Sequence, residues 1–223
     1  GQHAYAGTCD VLRLTEDDDM RSIEGLAKAR TYCRNMKRDS IPGLLWCSIP
    51  CTGGSARNDM NPVRHTDSFK KRFRSHLRIF RQFWANFETL AREVHGWGWS
   101  IAIAWPASCK HWHRRAVIKL QHDLGLSKAH CRGCAMGLTD DANLPIAKPW
   151  HIATNDSVIE ATLYKQRCPG KEAHPVHSEC QGKYAKRSES YTPKMAKLIH
   201  QAWSESALSF APPATWLRSG ASV

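Results

Sequence analysis

The sequence predicts an α/β fold: a mostly parallel sheet flanked by helices, followed by an irregular, Cys/His-rich C-terminal part. Three observations carry this. Two short apolar runs, residues 44–49 and 100–105, are each closed by a proline and read as buried strands. Between them lies a long amphipathic helix, the kind of connection that parallel strands need. Beyond residue 125 the helical periodicity fades and cysteine and histidine take over.

The elements follow in order. Residues 9–15 alternate well enough for a first strand. The acidic run Glu16, Asp17, Asp18, Asp19 then leads into a helix over 20–33, whose N-terminal dipole favours acids there. The buried strand from Leu44 stops near Pro50, because proline cannot donate a ladder hydrogen bond. Gly53 and Gly54 allow a tight turn with unusual backbone angles, and Cys51 is left at the lip of the sheet. Residues 57–67, with Asn61-Pro62, read as a polar loop.

Residues 68–94 form the strongest predicted helix. Phe69, Phe73, Leu77, Phe80, Trp84, Phe87, Ala91 and Val94 recur at spacings of three and four and make one apolar stripe. Lys70, Lys71, Arg72, Arg74, Arg78 and Arg81 crowd the rest of its first half. Such a run is either a solvated face or a set of phosphate contacts. A turn at 96–99, a helix over 113–124, a short helix over 155–166 and a closing helix over 191–203 complete residues 1–203 as one domain. Residues 204–223, with Pro212-Pro213, read as a tail.

Composition narrows the function classes. A net charge of +12 favours a polyanionic partner, nucleic acid first and anionic membrane second. No apolar run approaches the roughly 20 residues that span a bilayer. Nine cysteines, an odd count, fit free thiols or metal ligands in an intracellular protein, nuclear ones included, better than a disulfide framework. Cys131 and Cys134 have knuckle spacing, and Cys168, His174, His177 and Cys180 offer further ligands. Zinc takes four N or S ligands in a tetrahedron, so a structural zinc site is one expectation. Buried free thiols with surface histidines are the other. Trp97, Trp99, Trp105, Trp112 and Trp150 read mainly as core, and His111 and His113 as candidate phosphate contacts beside Trp112.

Pro50, Cys51 and Ser55 also carry a resemblance. They match the Pro-Cys nucleophile loop of the cytosine C5 DNA methyltransferases, with its Ser four residues after the Cys. A Cys, Lys-Pro and Cys/His-rich block like that at 131–180 occurs in a divergent branch of the family. The resemblance implies a Rossmann-like sheet, S-adenosylmethionine (AdoMet) as cofactor, and Cys51 adding to C6 of a flipped cytosine. It places Asp17, Asp18 or Asp19 and Pro50 near the cofactor and makes DNA the expected partner. A neighbouring Arg57 would lower the Cys51 thiol pKa. Arg57 with Lys70, Lys71, Arg74, Arg78 and Arg81, which follow directly on the glycine loop, are the candidate nucleic-acid contacts. Two departures stand against it. The family's catalytic acid falls on Ala104, and residues 1–8 are too short for the first strand and its glycine-rich loop. A fragment or a degenerate relative is therefore expected. The alternatives are a non-catalytic nucleic-acid-binding module with a structural zinc site, and a basic interaction domain of a larger polyprotein.

Overall fold

The computed structural model describes Cys9, residues 11–61 and residues 63–210. The expected glycine-rich loop region at 1–8, Pro62, and the Pro212-Pro213 segment lie outside the described residues.

The first helix, α1 (Ile23–Arg38), starts where Ser22 accepts a hydrogen bond from the Gly25 amide. The chain then enters β1 (Leu44–Cys47) and turns through a 3-10 segment, Thr52–Gly54. A single turn, α2 (Arg57–Met60), lies inside the expected loop. The long helix α3 (Asp67–His95) is capped by Thr66, whose side chain accepts from the Phe69 amide. Next come β2 (Ser100–Pro106), α4 (Arg115–Asp123), β3 (Ser127–Arg132) and β4 (Pro149–Thr154). Helices α5 (Ser157–Tyr164), α6 (Gly182–Arg187) and α7 (Pro193–Phe210) close the fold. Residues 204–210 continue α7 instead of starting a tail. The strand expected over 9–15 does not form: its described residues are irregular, and Cys9 Sγ meets His200 Nδ1 at 3.3 Å.

The four strands form one mixed sheet in the order β1-β2-β4-β3. The mostly parallel, Rossmann-like sheet is thereby corrected: only β1–β2 is a parallel pair, and β2–β4 and β3–β4 are antiparallel. The reason lies in the connections. Helix α3 carries the chain back over the sheet between β1 and β2, which gives a parallel pair. Between β3 and β4 there is only a compact loop with a 3-10 turn at Cys134–Met136, so the chain returns antiparallel. β4 inserts between β2 and β3, and β1, β2 and β3 all run against it.

Side-chain alternation in β2 divides two cores. Ile101, Ile103 and Trp105 face the cluster built with Phe80, Trp84, Phe87, Val117 and Leu120 from α3 and α4. Ala102 and Ala104 face the cluster built with Ile159, Leu163, Met195 and Ile199 from α5 and α7. Burial on both faces explains why β2 reads as an unbroken apolar run. The strand directions also fix the site: the segments after β1, β2 and β3 and the one before β4 all emerge at one edge of the sheet.

Candidate functional site

Cys51, Cys109, Cys134 and Lys148 all lie at that edge, just outside the strands. Three hydrogen bonds tie the segments together: Trp105 Nε1 donates to Ile49 O at 2.7 Å, Ala107 N to Pro149 O at 3.0 Å, and Gly133 N to Lys148 O at 2.8 Å.

On the β3–β4 side, Cys134, Cys168, His174 and His177 come together, with one ligand atom from each within 4.8 Å of all the others. Cys134 is buried in the 3-10 turn just after β3. Cys168 follows α5, where Arg132 N donates to Gln166 O at 2.9 Å and holds the loop against the end of β3. Cys168 Sγ lies 3.7 Å from His174 Nδ1 and 3.5 Å from His177 Nε2. A tetrahedral zinc spaces its S and N ligands about 3.3–3.8 Å apart, so two of these distances already suit one. Burial and the adjacent Cys168 thiol push the Cys134 thiol up to about 11. Both sulfurs could ionise together only with a cation between them.

This four-residue set corrects the six expected ligands. Cys131 is buried in β3, where Ala129 and Cys131 alternate inward, and its Sγ rests 3.9 Å from Trp150 O. Burial pushes its thiol up to about 12. Cys180 Sγ lies 3.5 Å from Ser188 Oγ, away from the cluster. The knuckle spacing thus belongs to a strand end, with one cysteine in the core and one in the candidate metal cluster.

No protein-family model, curated protein or solved structure matches this chain.

On the β1–β2 side the arrangement is one of packing. Cys51 is half-buried, and burial raises its thiol against the opposing pull of the Lys148 ammonium. Ser55 ends the 3-10 turn, and its Oγ accepts from the Arg57 amide at 3.3 Å. Gly53 and Gly54 are buried in the 3-10 turn, and neither takes the positive φ that the expected unusual backbone angles would need. A Cβ on Gly54 would come within 2.8 Å of His111 Cγ and 2.9 Å of Cys109 Sγ, so the loop needs glycine for close approach. His111 is fully buried and stacks on Phe80 with ring centroids 3.7 Å apart, which removes it from direct phosphate contact. Trp99, Trp105, Trp112 and Trp150 are core residues too. Ala104 is buried in β2, so the position where the resemblance expects a catalytic acid holds a methyl group.

Between the two sides stands Lys148. It donates to Ser188 Oγ at 2.7 Å and to Ser188 O at 3.1 Å, and its ammonium lies 5.5 Å from the centre of the Trp150 ring. Burial lowers its pKa. Arg57 donates to Cys180 O at 2.6 Å, so it fastens the 165–181 loop as well as facing solvent. Pro50 is exposed at the strand exit.

The acidic run is engaged locally. Asp18 pairs with Lys28 and accepts from the Thr15 amide, and Asp19 pairs with Arg21 at 2.6 Å. Asp17 accepts from the Thr15 hydroxyl at 3.5 Å. These acids brace the entry to α1, with Gly25 packed against the Asp18 and Asp19 carbonyls.

On α3, Lys70, Lys71, Arg74, Arg78 and Arg81 are all exposed. Helical spacing puts them on one flank, beside the apolar stripe, over about 16 Å. Lys70 has a loose ion pair with Asp67 at 3.6 Å; among the described residues no ion pair forms at Lys71, Arg74, Arg78 or Arg81. Arg72 instead lies 5.8 Å from the centre of the Phe69 ring.

Proposed function

We propose that this chain is a zinc-braced, non-catalytic nucleic-acid-binding domain. The observation that carries the reading is the exposed, unneutralised cationic flank of α3, on a chain of net charge +12. Backbone phosphates attract such a flank, and binding releases the counterions condensed on the nucleic acid. DNA is the first partner to test. Zinc at Cys134, Cys168, His174 and His177 closes the loop between α5 and α6 onto the end of β3, as a four-coordinate structural site with no open position. Three features favour binding without catalysis: burial raises the Cys51 thiol, Ala104 offers no proton, and the acids at 17–19 are held in local contacts. Among the described residues no helix is long and apolar enough to cross a membrane.

The test measures metal and binding on one preparation. Inductively coupled plasma analysis is expected to find about one zinc per chain. Anisotropy with a labelled 20-base-pair duplex is expected to show binding whose log K falls linearly with log salt. The triple variant R74Q/R78Q/R81Q is expected to reduce both the affinity and the slope. Zinc-free protein, or no duplex binding at 50 mM salt, defeats the corresponding half of the proposal.

A further inference from the structure

The basic flank of α3 has a fixed end that no sequence motif marks. Arg114, the residue capping α4, donates from Nε to His111 Nδ1 at 3.0 Å, and its guanidinium carbon lies 5.2 Å from the centre of the Phe80 ring. Phe80 in turn stacks on His111, and Gly54 lies so close to that imidazole that a Cβ there would come within 2.8 Å of its Cγ. The guanidinium plane is therefore held by a fully buried ring, an aromatic face and a strand-end loop. His111 accepts at Nδ1, so it is the Nε2–H tautomer, and burial pushes its pKa down to about 4, which keeps it an acceptor at neutral pH. Arg81 lies close enough for its charge to lower the Arg114 pKa, in addition to burial. Among the described residues no carboxylate pairs with either arginine.

A second cation whose charge reaches Arg114 favours an anion at the free side of its guanidinium. Nε of Arg114 is committed to His111, which leaves both Nη groups with four N–H donors in one plane. That fork matches two oxygens of a phosphate. From this geometry we propose that the fork of Arg114 forms a clamp for one nucleic-acid backbone phosphate, with His111 as the residue that positions it. The proposal rests on the nucleic-acid reading above and names a contact outside the α3 flank. It also gives the glycine pair a purpose: Gly54 is small so that the loop can hold His111, and His111 holds the arginine.

The experiment compares R114Q, R114K and R38Q with the unaltered zinc-loaded chain on the labelled duplex between 50 and 200 mM salt. Arg38 ends α1 ahead of β1, toward the opposite edge of the sheet, and serves as the control. R114Q is expected to bind about tenfold more weakly, with a salt slope smaller by about 0.9, the value of one phosphate contact on B-DNA. R114K keeps the charge and loses the fork, so its slope stays near that of the unaltered chain while its affinity drops several-fold. R38Q is expected to change neither. Thermal melts guard against unfolding; if R114Q melts early, the R114K comparison alone decides. An unchanged affinity in both Arg114 variants, alongside a weakened α3 triple variant, overturns the clamp and leaves the nucleic-acid reading standing. An unaltered chain that ignores the duplex but binds phosphatidylserine vesicles overturns both.

Discussion

The two halves of one sheet edge are built by opposite means. At the β1–β2 end, Gly54, Cys109, His111, Phe80 and Trp105 interlock, and each is held by shape. At the β3–β4 end, Cys134, Cys168, His174 and His177 converge from a turn and a long loop, and ligand chemistry joins them. The first half folds around its own apolar surface; the second brings together four side chains that could hold a metal ion. The comparison teaches where stability and sensitivity should lie along this edge.

The largest expected effect separates the halves directly. Cys168→Ser removes the sulfur that contacts both histidines. It should abolish zinc retention and lower the melting temperature by roughly 10–20 °C, which corresponds to about 5 kcal/mol in a domain of this size. Cys131→Ser and Cys180→Ser should keep zinc near one per chain, because neither sulfur joins the cluster. A chelator should reproduce the Cys168→Ser melt and add nothing to it. If Cys131→Ser loses zinc as well, the division of the edge is wrong.

The next effect belongs to the packed half and appears with pH. Burial, then the Arg114 charge, pushes His111 from 6.5 down to about 4, and His151 is held near 4 by burial, His130 and Lys128. A neutral buried histidine must stay unprotonated in the fold while the unfolded chain takes up its proton at the ordinary value. The contribution is thus complete above pH 6.5 and is lost as pH falls from there to about 4. For His111 it reaches up to about 3 kcal/mol. Urea unfolding between pH 7.5 and 4.5 checks this, and His111→Phe should flatten the part of the curve due to that residue. The neighbours that set this response are Arg114, Cys109, Phe80, Trp105 and the Gly54 backbone.

These contrasts also explain what was legible beforehand. β2 and α3 could be read because burial wrote itself into composition: an unbroken apolar run, and aromatics at spacings of three and four. β3 could not. Its residues Ser127–Arg132 bury only Ala129 and Cys131, so it carries almost no hydrophobic signal, and without β3 the antiparallel return to β4 was invisible. One available signal was the lack of any helical stretch between Cys134 and Lys148, which rules out a crossover. The candidate metal ligands were named within a larger set because spacing shows which thiols are near in sequence, whereas strand alternation decides which one turns into the core. Arg114 had no signature; only the folded contact of His111, Phe80 and Gly54 gives it a direction.

A smaller effect tests shape alone. Gly54→Ala sets a methyl group against the His111 ring and the Cys109 sulfur, both locked in the aromatic stack. The loop or the ring must shift, at a cost of about 2 kcal/mol. Zinc content should not change, because the cluster is at the other half of the edge. Duplex binding should weaken along with stability, since the displaced imidazole is the one that orients Arg114. Loss of stability with full binding would separate Gly54 from the arginine and leave the glycine a purely architectural role.

The smallest effect concerns the cysteine at the strand exit, and it divides binding from chemistry. Cys51 is half-buried, so Cys51→Ser removes little apolar surface and should alter stability by less than about 1 kcal/mol. Zinc content and the salt slope should both stay as they are. Burial outweighs the Lys148 charge and keeps the sulfur protonated near neutral pH, so few chains carry the thiolate that addition to a base requires. A duplex containing 5-fluorocytosine, incubated with AdoMet and the intact chain, should therefore give no covalent band on a denaturing gel. A band that appears with the intact chain and vanishes in Cys51→Ser would make the packed half of the edge a reactive centre. Lys148 would then be the residue supplying the charge that the thiolate needs, and the metal half would serve to hold Cys180 and Ser188 around that lysine.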